Sequence, residues 1–450
     1  IAFQENALPQ PDLAAEDLAA EEWREALRAC KGMMLRQEVV ELDIDALEQP
    51  VTPKQQPVKL FSTAYHNCHI RRLQSREINR HAVFLVTESE AITYHYELDI
   101  RESAIAKLSP DPRIAHTLNL RFDDYGRSLQ SVAVVYPRKI PYVDTSKTLE
   151  SDQLTLIQNV QNERHLAYTE THLTDELPED PDQHRLPAPC EALTYELTGT
   201  NSLQGFLPST GDYFSLADFK AFKLSDTLPD QGTKTVSITA YHELPADDNA
   251  RKRMIEWMRL LYFKDDLSDA EPFATHAWHG LPYETYKLAL TEPLLDAVFK
   301  DSSGKNKLDE AIDGTKTARD KLQDAKISGY LNGTTLASRF QDLNTTGQYW
   351  MRSGIAGFAS DAAQHFYLPE RYTDPFDNVT TLEYDGKYDI FVQSSTDSLQ
   401  NKTEVMDFDY RVLAPREMKD INENLSAVYF DILGLPAAMA VKGKGSEGDN

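Results

Sequence analysis

The chain has 450 residues, with 46 Lys and Arg against 72 Asp and Glu, so its net charge is −26. A surface this acidic repels phosphate backbones and anionic lipid, which argues against nucleic acid and membranes as partners. Hydrophobic residues make up 41% of the sequence and aromatic residues 10%, enough for a sizeable core. No run of apolar residues is long enough for a spanning helix. The sequence begins with Ile1, and a charged, Ala-rich stretch stands where a signal peptide would be, so it reads as an excerpt of a longer protein. Three cysteines, Cys30, Cys68 and Cys190, occur with no CxxC, which argues against a disulfide framework and a Cys-rich zinc site.

From the N-terminus, Leu13, Leu18, Trp23 and Leu27 predict a helix over Asp12 to Arg28, with Asp12 as cap and Gly32 as stop. Val58 to Tyr65 reads as extended. His81–Val86 and Ala91–Leu98 read as arms of a β-hairpin joined by Thr87-Glu-Ser-Glu90. A second hairpin spans Ile114 to Tyr136 around Asp123-Asp-Tyr-Gly126, and Pro137 closes it. Lys139 to Pro189, with Pro178 to His184 inside it, reads as a long surface connection holding at most one short helix. Strands resume at Ala192–Thr198 and Thr235–Glu243. Met254, Ile255, Trp257, Met258, Leu261 and Tyr262 predict the buried face of a helix from Ala250 to Phe263, capped by Asp247 or Asp248. Thr291-Glu-Pro293 opens another helix through Phe299. A third, weakened by Gly314, is read from Ser303 through Leu308, Ala311, Ile312, Leu322 and Ala325.

Near the end Asp374-Pro-Phe-Asp-Asn378 recurs as Asp397-Ser-Leu-Gln-Asn401 and Asp420-Ile-Asn-Glu-Asn424, at 23-residue intervals. Thr380, Thr403 or Ser426 follows, then Leu382, Val405 or Val428; Tyr384-Asp385 and Phe430-Asp431 end the first and third copies. Asp accepts bonds from its own turn backbone and Asn tolerates the left-handed conformation, while Thr-x-Leu/Val alternates like a half-buried strand. Each copy is therefore a turn plus a strand, and the copies are expected to lie side by side as successive strands of one sheet.

Tyr384-Asp385, Asp409-Tyr410-Arg411 and Asp431-Ile-Leu-Gly434 resemble the YD (Rhs) repeat of large toxin-delivery proteins. Lys31 to Glu38, Asn79 to Phe84 with Glu90 to Leu98, Asp111 to Leu120 with Asp124-Tyr-Gly126, and Leu281 to Lys287 resemble the middle/C-terminal region of the insecticidal toxin-complex B component. The likeness runs from Gly32 to Gly445. It implies a mainly β fold with some α: an antiparallel YD-type hairpin sheet forming part of a hollow shell, with accessory helices. It also implies a C component as shell partner and cargo, an A-component pore reached through a propeller outside this stretch, and secretion or cell-surface association in a bacterial toxin complex. The family has Gly-Asn at its repeat turns. Here Asp377, Gln400 and Glu423 precede the Asn, so these residues should avoid positive φ or be strained.

The expected organisation is a helical lead-in over 1–31, a β-hairpin region over 32–138, a loop-rich connection over 139–190, a mixed region over 191–365 and repeat strands over 366–450. No catalytic, cofactor or metal residues are expected. His66-Asn-Cys68-His69 and His276-Ala-Trp-His279 lack a second ligand group at metal-site spacing. Gly443 to Gly448 matches GxGxxG without the strand–turn–helix context that gives that motif meaning. Five Asn-x-Ser/Thr sequons, at Asn332, Asn344, Asn378, Asn401 and Asn424, read as turn chemistry rather than glycan sites. The function expected is containment of a toxic C-component cargo. Two alternatives stand beside it: an extracellular YD-repeat binding module, for which Tyr94 and Tyr96 are candidate surface aromatics, and an ADP-ribosyltransferase-associated virulence protein.

Overall fold

The computed structural model describes residues 5, 8, 11–13, 18–48, 58–96, 111–144, 146–180, 183–229, 231–246 and 248–444. The fold is mainly antiparallel β, and the chain divides into two compact units, residues 1–172 with 192–257 and residues 173–191 with 258–450.

In the first unit the strands Val58–Gln74, Val83–His95, Arg113–Phe122, Ser128–Val135, His165–Leu173 and Pro189–Thr198 lie side by side in chain order. The short connections over residues 75–82 and 123–127 favour antiparallel neighbours. The alternation read in the second hairpin is realised. Leu118 faces inward opposite Val132 and His116 opposite Val134, Ile114 is buried on the same face, and Gly126 makes the turn with φ +86°. Ile92, Tyr94, Leu166, Tyr168, Leu197, Phe206 and Phe219 complete the core.

Several predicted elements differ. Thr87 to Glu90 is not a turn: Val83–His95 is one continuous strand paired along Val58–Gln74. Its two glutamates find partners on neighbouring strands, where Glu90 accepts a 2.9 Å bond from His116 and Glu88 meets His66 at 2.7 Å. Glu97 and Leu98, at the end of the predicted arm, lie outside the described residues. The connection after Lys139 holds strands as well as its one helix. Ser151–Gln161 is helical, His165–Leu173 is a full sheet strand, and Leu177–Asp180 pairs with Gln183–Arg185. Pro181 and Asp182, inside the predicted proline-rich connection, lie outside the described residues. Of Thr235–Glu243 only Ser237–Thr239 is strand.

The lead-in helix spans Ala20–Ala29, shorter than its apolar spacing suggested, and Trp23 and Leu27 are exposed. Asp12–Leu13 instead pairs in parallel with His69 and Ile70, and residues 14–17 lie outside the described ones. Two acidic side chains seat the helix. Glu22 accepts from the Arg76 amide and the Arg72 guanidinium, and Glu25 from the Ala82 amide, so carboxylate contacts seat the helix beside its one buried apolar residue, Ala26.

The largest departure is Arg251–Tyr262, which is a strand and not a helix. It pairs with Ser237–Thr239 and, through Met258–Tyr262, with Pro282–Thr291. Ile255 and Met258, read as buried, are exposed, while Lys252 and Arg259 are buried. Helical spacing of apolar residues decides little where strand partners on both sides satisfy the backbone. Asp247 lies outside the described residues, so the predicted cap there falls outside them too.

In the second unit Pro282–Thr291 pairs with Gln348–Arg352, which pairs with Tyr330–Asn332. The predicted helix after Thr291 spans Glu292–Phe299, with Thr291 Oγ1 accepting from the Leu294 amide. The helix read from Ser303 is absent. Gly314 takes φ +61° and turns Ala311–Asp313 back onto Lys316–Thr317, and helices Ala318–Gln323 and Ala325–Ser328 follow. Phe340, wholly buried, meets Tyr286 edge-on at 5.1 Å and Trp350 at 6.0 Å. Truncating it leaves a cavity in a packed aromatic cluster. Phe340→Ala is expected to lower stability by about 3–5 kcal/mol in chemical denaturation followed by tryptophan fluorescence. A loss under about 1 kcal/mol would mean that this cluster does not hold the second unit together.

Candidate interaction surface

Eight strands from Ile355–Gly357 to Pro436–Lys442 form a meander in strict chain order, every neighbouring pair antiparallel. The three Asp-x-x-x-Asn segments join its hairpins at one end, leading into Val379–Tyr384, Lys402–Asp409 and Leu425–Phe430. These strands share one sheet but are not neighbours, because a return strand lies between each pair. The 23-residue period is therefore a two-strand hairpin and not the single strand read from the sequence.

Each turn is built alike. Asp374 Oδ1 accepts from the amides of Phe376 and Asn378, Asp397 Oδ1 from Leu399 and Asn401, and Asp420 Oδ1 from Asn422 and Asn424, all at 2.8–2.9 Å. The second carboxylate oxygen accepts from the Asn carboxamide at 3.0, 2.8 and 3.0 Å. The fourth residues, Asp377, Gln400 and Glu423, sit at φ +66°, +67° and +66°. Of the two alternatives that the missing glycine left, avoiding positive φ or bearing its strain, these residues take the second.

The same carboxylate geometry recurs at Asp123, Asp301 and Asp431, where the fourth residue is Gly126, Gly304 or Gly434. In each of these a residue other than Asn stands fifth. The Asn-to-Asp bond is thus present where glycine is absent, and it offsets the αL penalty of about 1–2 kcal/mol.

The opposite end carries the Tyr-Asp and Phe-Asp positions. Tyr384 donates to the Pro369 carbonyl at 3.0 Å, and Asp385 accepts from the amides of Tyr388 and Ile390. Phe430 ends its strand, and Asp431 anchors the next turn. Phe391 and Phe408 stack at 3.8 Å beside Tyr410. Across one face Glu383, Lys402, Glu404 and Lys419 form a ladder of alternating charge, with contacts of 3.6, 3.5 and 3.1 Å. The opposite face carries Leu382, Val405, Met418, Val428 and Met439 among Thr and Ser residues. The edge strand Pro436–Lys442 pairs on one side only among the described residues, and Met439 and Val441 are exposed. Such an edge offers free N–H and C=O groups to another strand.

The histidine motifs do not converge on a metal. His66 Nδ1 meets Glu88 at 2.7 Å, whereas His69 lines a 230 Å³ cavity with Arg71, Arg121 and Lys220. His276 is buried against Thr174 at 2.8 Å, and burial lowers its pKa; His279 meets Asp265 at 2.7 Å. No group of three metal-ligating side chains gathers among the described residues. The GxGxxG text runs past Lys444, outside the described residues.

Two buried polar networks escaped sequence reading. Phe214 N–H donates to Tyr136 Oη, which bonds His116 Nδ1, whose Nε2 meets Glu90. Glu170 accepts from Tyr168, His172, Ser225 and Thr227; although burial opposes its charge, these bonds hold its pKa at about 2. Their partners are up to 78 and 57 residues apart, so no local signal points to them.

The fold and its turns define a β-hairpin repeat protein, and comparison places it further. Residues 25–185 match the family model described as insecticide toxin TcdB middle/C-terminal region, so this stretch is similar to that region. No curated protein matches the chain. The crystal structure of TcdB2-TccC3-TEV is similar with a TM-score of 0.56 and 20% identity, over 98% of this chain and 18% of that one. The Photorhabdus luminescens Tc holotoxin pore carrying TccC3-D651A gives 0.54 and 19%, over 98% and 18%. The TcdB2-TccC3-Cdc42 crystal structure gives 0.52 and 20%, over 93% and 17%. The chain thus spans under a fifth of the length of these structures and shares their fold.

Two predictions test the turns. Gln400→Gly is expected to raise stability by about 1 kcal/mol in thermal or chemical unfolding; a loss would show that the backbone is not left-handed there. The Asn carboxamide first, and the backbone amides with it, hold the carboxyls of Asp374, Asp397 and Asp420 below the usual range. A carboxyl lowered in the folded state stabilises above its unfolded pKa, about 3.9, and loses that contribution as pH falls through the folded value. Replacing all three with Ala should flatten the stability gradient below about pH 4, measured by circular dichroism. An unchanged gradient would remove the turns from the acid response.

Proposed function

We propose that this chain is a wall segment of the hollow YD-repeat shell of a toxin-complex B component, which encloses and helps deliver the toxic cargo of a C component. The observation that carries the reading is the repeated Asp-anchored hairpin. It extends a sheet by two strands per 23 residues, and each added hairpin leaves a new edge for the next. The family match over residues 25–185 and the shared fold with TcdB2-TccC3 structures support it.

The mechanism is containment. A closed sheet separates cargo from solvent and protease, and closure removes the edges that promote aggregation. The open strand at Pro436–Lys442 suits pairing with further repeat strands. The partners on this reading are the C component and, through a propeller outside this sequence, the A-component pore. The setting is a secreted or surface-associated bacterial complex. The chain does no chemistry, binds no cofactor and inserts in no membrane. No helix among the described residues is long and apolar enough to cross one. Asp374, Asn378, Asp397, Asn401, Asp420 and Asn424 act as register-setting turn residues, and Tyr384, Asp385, Phe430 and Asp431 as the YD positions. The adhesion alternative draws no support from Tyr94, which is wholly buried.

A B protein containing this segment, co-expressed with its C component, is expected to shield the cargo from added protease. The same cargo expressed alone is digested. Equal digestion in both preparations, despite stable association of the two components, contradicts containment and favours surface binding.

A further inference from the structure

Two of the three thiols meet in space. Cys30 caps the C-terminus of the Ala20–Ala29 helix, and Cys68 lies on the Val58–Gln74 strand, at the bulge where Asn67 and Cys68 are both buried. Their Sγ atoms are 3.8 Å apart, within one small apolar cluster with Ala26 and Ile70. The Cys30 thiol also reaches the Ala26 carbonyl at 3.7 Å. With its proton directed there, Cys30 presents a sulfur lone pair to the Cys68 S–H. Cys190 is buried elsewhere, near Glu191 and Arg259, and serves as an internal control.

We propose that Cys30 and Cys68 form a disulfide on oxidation, stapling the Ala20–Ala29 helix to the Val58–Gln74 strand. A disulfide bond is about 2.05 Å long, so the sulfurs must close by about 1.8 Å. Cys30 is a cap residue, and the chain turns at Gly32, φ +95°, just beyond it.

The oxidant is a small disulfide such as glutathione disulfide. Cys30, the half-buried and more accessible thiol, loses its proton to solvent and attacks one oxidant sulfur. The oxidant S–S bond breaks, one glutathione thiolate leaves, and a mixed disulfide forms at Cys30. Cys68 Sγ then gives up its proton and attacks Cys30 Sγ, expelling the second glutathione thiolate. Two protein thiols lose two electrons and two protons, and one glutathione disulfide becomes two glutathiones. Burial, with the neighbouring Cys30 second, holds the Cys68 thiol up to about 12, which fits its role as the second and not the first nucleophile. Contact with Cys30 makes that second step intramolecular. The bridge closes a loop between positions 38 apart in sequence, long enough for its restriction of the unfolded chain to be felt. Such a dithiol stays open in a reducing cytosol and closes outside it. The inference stands on these contacts alone and does not depend on the shell reading.

The test exposes the reduced, folded chain to glutathione disulfide, then counts thiols by alkylation after denaturation and maps linked peptides by mass spectrometry. The expected result is a Cys30–Cys68 linked peptide with Cys190 still free. The melting temperature should rise by roughly 5–10 °C and fall back on reduction. Cys30→Ser, its fold checked by circular dichroism, should give no linked peptide and no redox-dependent shift. Retention of all three thiols, a lasting glutathione adduct on Cys30 without a linked peptide, or a bridge through Cys190 overturns the proposal. A linked peptide without a rise in melting temperature overturns the staple.

Discussion

An aspartate stands at the start of each repeat turn, and its carboxylate takes the two backbone amides that the connection would otherwise leave to water. At Asp397 one oxygen accepts from the amides of Leu399 and Asn401 while the other accepts from the Asn401 carboxamide. This fixes which residue leaves the turn and therefore which residue opposes which in the two strands. A slip of one residue would exchange the two faces of the sheet. The charged ladder from Glu383 to Lys419 would then change places with Leu382, Val405 and Met418. The order of the meander thus rests on a contact that spans four residues.

Elsewhere the sheets are held by buried charges. Arg259 lies over the Phe273 ring at 3.9 Å, bonds Glu191 at 2.7 Å and grips Asp342 with two bonds. Glu170 has four donors around it, and His116 bridges Glu90 and Tyr136. Burying such groups carries a desolvation penalty, and full hydrogen bonding offsets it. Removing one partner exposes that penalty, so each network enforces a single arrangement of the strands that meet there.

These two kinds of contact explain what the sequence revealed. The repeat was readable because Asp and Asn act within their own turn, and because Thr-x-Leu and Thr-x-Val alternate beyond it. The doubling of the period was not readable, since the return strands Val392–Thr396 and Ala414–Lys419 carry no matching motif. Arg251–Tyr262 was misread because its apolar residues fall at helical spacing while Lys252 and Arg259 are buried along with Leu261 and Tyr262. Lys252 and Arg259 are buried only because Leu224, Glu191 and Asp342 meet them from distant segments. Thr87 to Glu90 looked like a turn for the same reason: Glu88 and Glu90 have partners, His66 and His116, that only the folded sheet supplies.

Hydrogen exchange followed by mass spectrometry, comparing the chain with its Asp397→Ala variant, tests most directly whether the turn carboxylate sets the strands. If it does, protection should fall together in Val392–Thr396 and Lys402–Asp409, the two strands that the turn joins. Protection in the Val58–Gln74 strand of the first unit should be unchanged. Unaltered exchange in both flanking strands, with loss confined to the turn itself, would contradict the account.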